Sequence, residues 1–113
     1  MTAEEIIKQL EDVVQKKLPM SPSFWVEQAQ KLVVLMGDEA DKLYTLQKQV
    51  AQEKVKWIEQ GKSVSEAKLR VEASDLYEQM LKQKAFLERI NEIIRIAKIQ
   101  SKMRESEYFA QNL

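Results

Sequence analysis

Residues 63–108 contain neither glycine nor proline, and their apolar side chains recur at alternating steps of four and three residues. This spacing keeps one seam of side chains facing a partner helix over many turns. The seam consists of Leu69, Ala73, Leu76, Met80, Gln83, Leu87, Ile90, Ile94, Ala97 and Ser101. A helix of this length extends nearly 70 Å at about 1.5 Å per residue, far more than a compact domain of this size needs. We therefore expect it to lie against another long helix.

The first twenty residues predict a short helix over residues 2–18. Thr2 and Glu5 form a capping box, in which the hydroxyl and the carboxylate each satisfy a backbone amide at the start of the helix. Pro19 ends the helix, because proline disfavours helical geometry at the residue before it.

A second helix is predicted over residues 22–60. Ser21 is a good N-cap, and Pro22 occupies the first helical position, where its missing amide hydrogen costs nothing. Gly61 suits the left-handed position that closes many helices. Gly37 costs about 1 kcal/mol relative to alanine in a helix interior, so we expect either a slight bend or a short break there.

The third helix, over residues 63–108, starts almost as soon as the second ends. Ser63 and Glu66 form another capping box directly after Gly61, and so short a connection folds two helices back antiparallel. The sequence therefore predicts an all-α fold in a single domain of residues 1–113. It comprises a short N-terminal helix and a long antiparallel, coiled-coil-like helical hairpin.

The third helix carries more apolar side chains than one seam can use, and a helix apolar on several sides is normally covered on several sides. The first helix could cover part of this surface and a second subunit the rest, which predicts a homo-oligomer. The interface is predicted to include Tyr77, Leu81, Phe86, Ile93, Ile96 and Ile99. Gln83 is a polar residue in the seam, where it either fixes the register or marks a solvent-facing position.

Aromatic residues lie near both ends of the predicted hairpin. In an antiparallel arrangement the start of the second helix meets the end of the third, so Phe24 and Trp25 are expected to approach Met103 and Tyr108. Trp57 is expected to pack at the turn. Core packing is the expected role, although an exposed aromatic cluster would instead mark a docking surface.

The composition argues against an enzyme. The chain contains no cysteine and no histidine, and it has no glycine-rich loop that could hold a phosphate. Glu72, Asp75 and Glu78 follow one another along one helix side and could hold a divalent cation. A solvated face with basic neighbours explains the same three acids, so neither a metal nor another cofactor is predicted.

The distribution of charged residues suggests one alternative function. The chain has 18 basic and 18 acidic residues, so its net charge favours neither nucleic acid nor membrane. Lys84, Arg95, Lys98 and Lys102 nevertheless follow one side of the third helix and could bind phosphates in a salt-dependent way. The polar back of a coiled coil is the competing interpretation. The acidic N-terminus and the lack of a long apolar run predict a cytoplasmic protein without a membrane segment.

Residues 61–104 also contain short motifs that resemble those of a known group of proteins. They contain Glu66-Ala67-Lys68, Ala73-Ser74-x-x-Tyr77, Leu81-Lys82 and Ile94-Arg95-x-x-Lys98. This stretch resembles small helical-hairpin proteins encoded by tailed phages and prophages, most of which have no assigned activity. The resemblance implies a mobile-element origin and an accessory part in phage DNA metabolism or assembly, and it transfers no functional residue.

These observations favour a non-enzymatic assembly or adaptor protein that acts through protein–protein contacts on its helix surfaces. The alternative is an accessory nucleic-acid-binding protein in phage DNA replication, recombination or packaging. That alternative would use the four basic residues of the third helix.

Overall fold

The computed structural model describes residues 1–112, with side chains through Glu107. Its elements are α1 (Ala3–Gln15), α2 (Pro22–Glu59), α3 (Val64–Glu72) and α4 (Asp75–Asn112), and the described residues include no strand. The prediction of an all-α fold is confirmed. The chain divides into two compact units, and the prediction of a single domain stays a prediction. Unit 1 is Met1–Gly37 with Glu88–Leu113, and unit 2 is Asp38–Leu87.

Helix α1 begins as the sequence predicts and ends early. The Thr2 hydroxyl accepts a hydrogen bond from the Glu5 amide at 3.2 Å. At the other end Lys17 adopts a φ of 53°, and the Leu18 amide donates to the Val13 carbonyl at 3.1 Å. This pattern closes a helix with a left-handed residue, a position that usually holds glycine. The helix therefore stops at Gln15, three residues before its predicted end at residue 18.

Unit 1 has a dense apolar core drawn from α1, α2 and α4. Its largest fully buried side chains are Ile6, Ile7, Leu10, Trp25, Leu32 and Ile90. Removing each such side chain from water contributes about 1.5–3 kcal/mol, which is why these three helical segments hold together. At the edge of the core, Arg89 Nε of α4 donates to Glu11 Oε1 of α1 at 2.8 Å.

Helix α2 runs without interruption through Gly37, so the short break weighed at that residue does not occur. Gly37 is exposed, and a Cβ atom there would meet no other group within 4 Å. The helix ends at Glu59, and Gly61 closes it with a φ of 91°. The Lys62 amide then donates to the Trp57 carbonyl at 3.1 Å. The predicted stop signal at Gly61 is confirmed.

The predicted third helix is not continuous, and a single helix over residues 63–108 is wrong. It divides at Ala73 and Ser74 into α3 and α4. The Ser74 hydroxyl donates to the Val71 carbonyl at 2.6 Å and accepts from the Tyr77 amide at 3.2 Å. Because this side chain bonds the backbone on both sides, it ends one helix and caps the next. Helix α4 then continues to Asn112, beyond the predicted end at residue 108.

Within unit 2 the helices fold back antiparallel, as predicted. Near the turn the Arg70 guanidinium of α3 lies 4.7 Å from the centre of the Trp57 ring of α2. Farther from the turn, Gln83 of α4 bonds to Glu39 of α2. Unit 2 buries few residues: across Asp38–Leu87 only Ala67 and Val71 are buried apolar residues. Its helices are therefore held by half-buried side chains.

Candidate interaction surface

One face of α2 in unit 2 carries apolar side chains that the described chain leaves uncovered. They are separated by four, seven, four and three residues, which places them on one side of a helix. We call them the outer stripe: Ala40, Tyr44, Ala51, Val55 and Ile58. Tyr44 is 71% exposed and Val55 52%. Exposed apolar side chains are common singly, whereas several of them on one side of a helix form a candidate contact surface.

The outer stripe is exposed because α2 has a second apolar face that meets the rest of unit 2. The half-buried residues of that inner face are Leu43, Leu46, Val50 and Trp57. With about 3.6 residues per turn, the outer stripe lies roughly a third of a turn away from this inner face. Because α3 and α4 pack on one side of α2 in unit 2, they cover only the inner face of α2. The remaining face is the candidate interaction surface.

A polar cluster connects α2 and α4 within unit 2. Gln83 Nε2 donates to the backbone carbonyl of Glu39 and to its carboxylate Oε2, each at 2.8 Å. Lys42 Nζ also contacts that carboxylate at 2.9 Å. Partial burial alone would raise the pKa of Glu39, but the hydrogen bond from Gln83 and the bond and charge of Lys42 lower it below the usual value. Gln83 is half-buried and bonded to the facing helix, so it does not mark a solvent-facing position, and its role in fixing the register stays a prediction.

The predicted oligomer interface of α4 is distributed over both units. Tyr77 and Phe86 of unit 2 are half-buried, while Leu81 is exposed. In unit 1, Ile96 is half-buried and Ile99 exposed, but Ile93 is only 7% exposed and belongs to the core. Ile93 therefore has no free surface for a partner in this conformation. The interface formed by the other residues stays a prediction.

The predicted basic strip is also divided, because Lys84 lies in unit 2 and the other three residues lie in unit 1. Arg95 is engaged by Glu92, with its Nε 3.2 Å from the Glu92 carboxylate and a second hydrogen bond from its Nη2. The hydrogen bond from Arg95 lowers the pKa of Glu92, and the same bond raises that of Arg95. Lys98 and Lys102 are exposed and make no ion pair with the described side chains.

The structure also describes the acidic residues that were considered as a cation site and the helices that were examined for a membrane segment. Glu78 is 3.0 Å from Lys82, as expected for a solvated helix face. Within the described residues no three acidic side chains come together as a metal site. Helices of the described chain also lack a segment long and apolar enough to cross a membrane.

The expected aromatic packing is found in part. Trp25 and Met103 line one cavity of unit 1, and the rings of Phe24 and Trp25 meet edge to face at 5.4 Å. The Tyr108 side chain, predicted to join them, lies outside the described side chains. Trp57 packs at the turn, under Arg70.

The outer stripe was not predicted from the sequence. Its signal was available, because Tyr44, Ala51, Val55 and Ile58 have heptad-like spacing of their own. Two overlapping seams on one helix are hard to separate without knowing which seam meets the partner helix. The pairing of Gln83 with Glu39 was also missed, although both residues interrupt apolar seams.

Fold and surface together define an all-helical protein that consists of two compact units. Comparison of the chain with models of protein families, with curated proteins and with solved structures finds no match.

Proposed function

We propose that this chain is a non-enzymatic assembly or adaptor protein that acts through protein–protein contacts, with homo-oligomerisation through the outer stripe. The observation that carries this proposal is the uncovered apolar face of α2 in unit 2, a unit that itself has very few buried residues. Covering Tyr44, Val55 and Ile58 would contribute only part of the about 1.5–3 kcal/mol of a fully exposed apolar side chain, because each is already partly buried. A cytoplasmic location and a phage origin accompany this proposal as predictions of the sequence.

Light scattering coupled to size exclusion tests the proposal. We expect a mass well above 13.2 kDa for the unaltered chain. Tyr44→Lys should lower this mass, because an ammonium group in the contact would lose its hydration. Thr45→Lys is the matched control, since it adds the same charge one residue away on another side of α2. A monomer for the unaltered chain, or equal masses for the two variants, would contradict self-association through this face.

A second candidate function is accessory nucleic-acid binding, in a phage process such as replication, recombination or packaging. The observation that favours it is the exposure of Lys98 and Lys102, one helical turn apart, without an ion pair among the described side chains. The engagement of Arg95 by Glu92 weakens it, because the carboxylate offsets one positive charge of the strip. The two lysines are therefore the residues that a test of this function should change.

A further inference from the structure

Unit 2 has a groove of about 310 Å³ on the exposed side of α2, beside the outer stripe. Its walls, all of them exposed, are Lys48, Ala51, Gln52, Val55, Lys56 and Glu59. With about 3.6 residues per turn, these residues lie roughly half a turn from the inner face of α2. A molecule can therefore approach the groove without meeting the helices of unit 2 that cover the inner face.

The groove is complementary to a second copy of itself. Its midpoint lies between Glu53 and Lys54, and a two-fold axis at that point would pair two α2 helices in antiparallel orientation. Residues at similar distances on either side of the axis would then meet. These contacts, each made twice, are Lys48 with Glu59, Ala51 with Val55, and Gln52 with Lys56. Such a contact would have an apolar middle and an ion pair at each end.

The charges at the two ends of the groove favour this orientation. Lys48 and Glu59 are exposed, and neither forms an ion pair among the described side chains. They lie about 16 Å apart along the helix, so they cannot pair with each other within one chain. An antiparallel copy brings each of them to the opposite charge, whereas a parallel copy in register would place like charges together. Charge complementarity therefore specifies a second, antiparallel copy.

We propose that unit 2 associates through a two-fold antiparallel contact between the α2 helices of two copies, in which Lys48 of each copy pairs with Glu59 of the other. This inference rests on the proposed self-association and specifies its orientation. The groove shares Ala51 and Val55 with the outer stripe, so one contact covers both. A contact over about three helical turns is small and belongs to the weak class of interfaces, which makes it sensitive to changes of charge.

Sedimentation equilibrium of the full chain at low salt tests the ion pair. Lys48→Glu and Glu59→Lys should each raise the dimer dissociation constant about tenfold or more, because each change places like charges opposite one another at both ends. An equimolar mixture of the two variants should recover the original affinity, since both pairs re-form, and this recovery also shows that the variants are folded. Lys68→Glu, at an exposed position of α3, is the matched control and should associate normally.

Engineered cysteines test the orientation, because the chain has no cysteine of its own. Val55 lies next to the proposed axis, so Val55→Cys should form a disulfide-linked dimer under mild oxidation. Tyr44→Cys is the comparison, since Tyr44 lies on the same stripe. Its two copies would be about 28 Å apart along antiparallel helices and should not cross-link. Equal cross-linking of the two variants would indicate a parallel contact and overturn the proposal.

The outcomes separate this inference from the proposed self-association. A monomeric unaltered chain would overturn both, and its exposed α2 surface would then be left for a different protein. An oligomer whose affinity neither charge reversal changes, or whose affinity the mixture does not recover, would overturn the antiparallel contact and leave self-association standing.

Discussion

The bond between Gln83 and Glu39 should determine much of the stability of unit 2. Gln83→Ala removes two hydrogen bonds of 2.8 Å, one to the backbone carbonyl of Glu39 and one to its carboxylate, on a side chain that is only 15% exposed. A hydrogen bond to a charged group contributes about 1.5–3 kcal/mol and a neutral one about 0.5–1.5 kcal/mol. Because Lys42 and solvent still reach the carboxylate, we expect the lower end of the sum, a loss of about 2 kcal/mol.

Urea unfolding followed by circular dichroism measures this loss, and a double-mutant cycle isolates the pair. Glu39→Ala, Gln83→Ala and the double variant should give a coupling free energy of about 1–2 kcal/mol. Gln79→Ala is a matched control, since Gln79 is exposed on α4 one turn earlier. A coupling below about 0.5 kcal/mol, within the error of additivity, would refute the claim that this pair holds the register.

The pH dependence of the folding stability provides an independent test of the pairing of Gln83 with Glu39. The pKa of Glu39 is lower in the folded protein than its ordinary value. Between these two pKa values the unfolded chain binds more protons, so folding stability rises with pH there. The contribution of Glu39 is thus present above about pH 4.3, the ordinary glutamate pKa, and is lost as the pH falls through the lowered pKa. Gln83→Ala should flatten this dependence, and an identical pH profile in the variant would count against the assignment.

Three further predictions address other parts of the chain. Lys17→Gly should stabilise the protein by about 1 kcal/mol and raise its melting temperature, because glycine adopts a left-handed conformation without strain; a lower melting temperature would contradict this. Ser74→Ala should destabilise by about 1 kcal/mol in urea unfolding, as expected for loss of an N-cap, while Ser65→Ala should have little effect; equal effects would argue against the cap. If the chain binds DNA, joint reversal of Lys98 and Lys102 to glutamate should weaken low-salt binding at least tenfold, and indifferent binding would end that candidate function.

The helix boundaries that could be predicted are those set by local chemistry. Thr2 and Gly61 act through bonds to neighbouring backbone groups, and the structure places both as the sequence indicates. Ser74 acts in the same local way, but the heptad pattern continues across it through Ala73 and Leu76, so periodicity concealed the break. At Gly37 the sequence suggested a bend or a break, but α2 is continuous there. The weak helix propensity of one glycine does not interrupt a long helix.

The candidate surfaces were harder to predict than the fold. A heptad count shows that α2 has apolar positions, but it does not show which face meets the partner helix and which stays open. One cavity of unit 1 is lined by Lys17, Trp25 and Arg104. Arg104 is far from the other two in the chain, so the three residues come together only after folding. Trp25 Nε1 is buried without a hydrogen-bond partner among the described residues, and no spacing in the sequence encodes such a property of the three-dimensional surroundings.

The interruption at Ser74 has a consequence for how unit 2 opens. It leaves α3 with nine residues, fewer than the roughly 12–15 that a helix needs to persist by itself in water. Two buried residues, Ala67 and Val71, and the contact of Arg70 with Trp57 therefore keep it folded. Because Ser74 caps α4 separately, we expect the first turn of α4 to persist when α3 unravels. We therefore expect α3 to open in an equilibrium of its own, with a lower free energy than global unfolding.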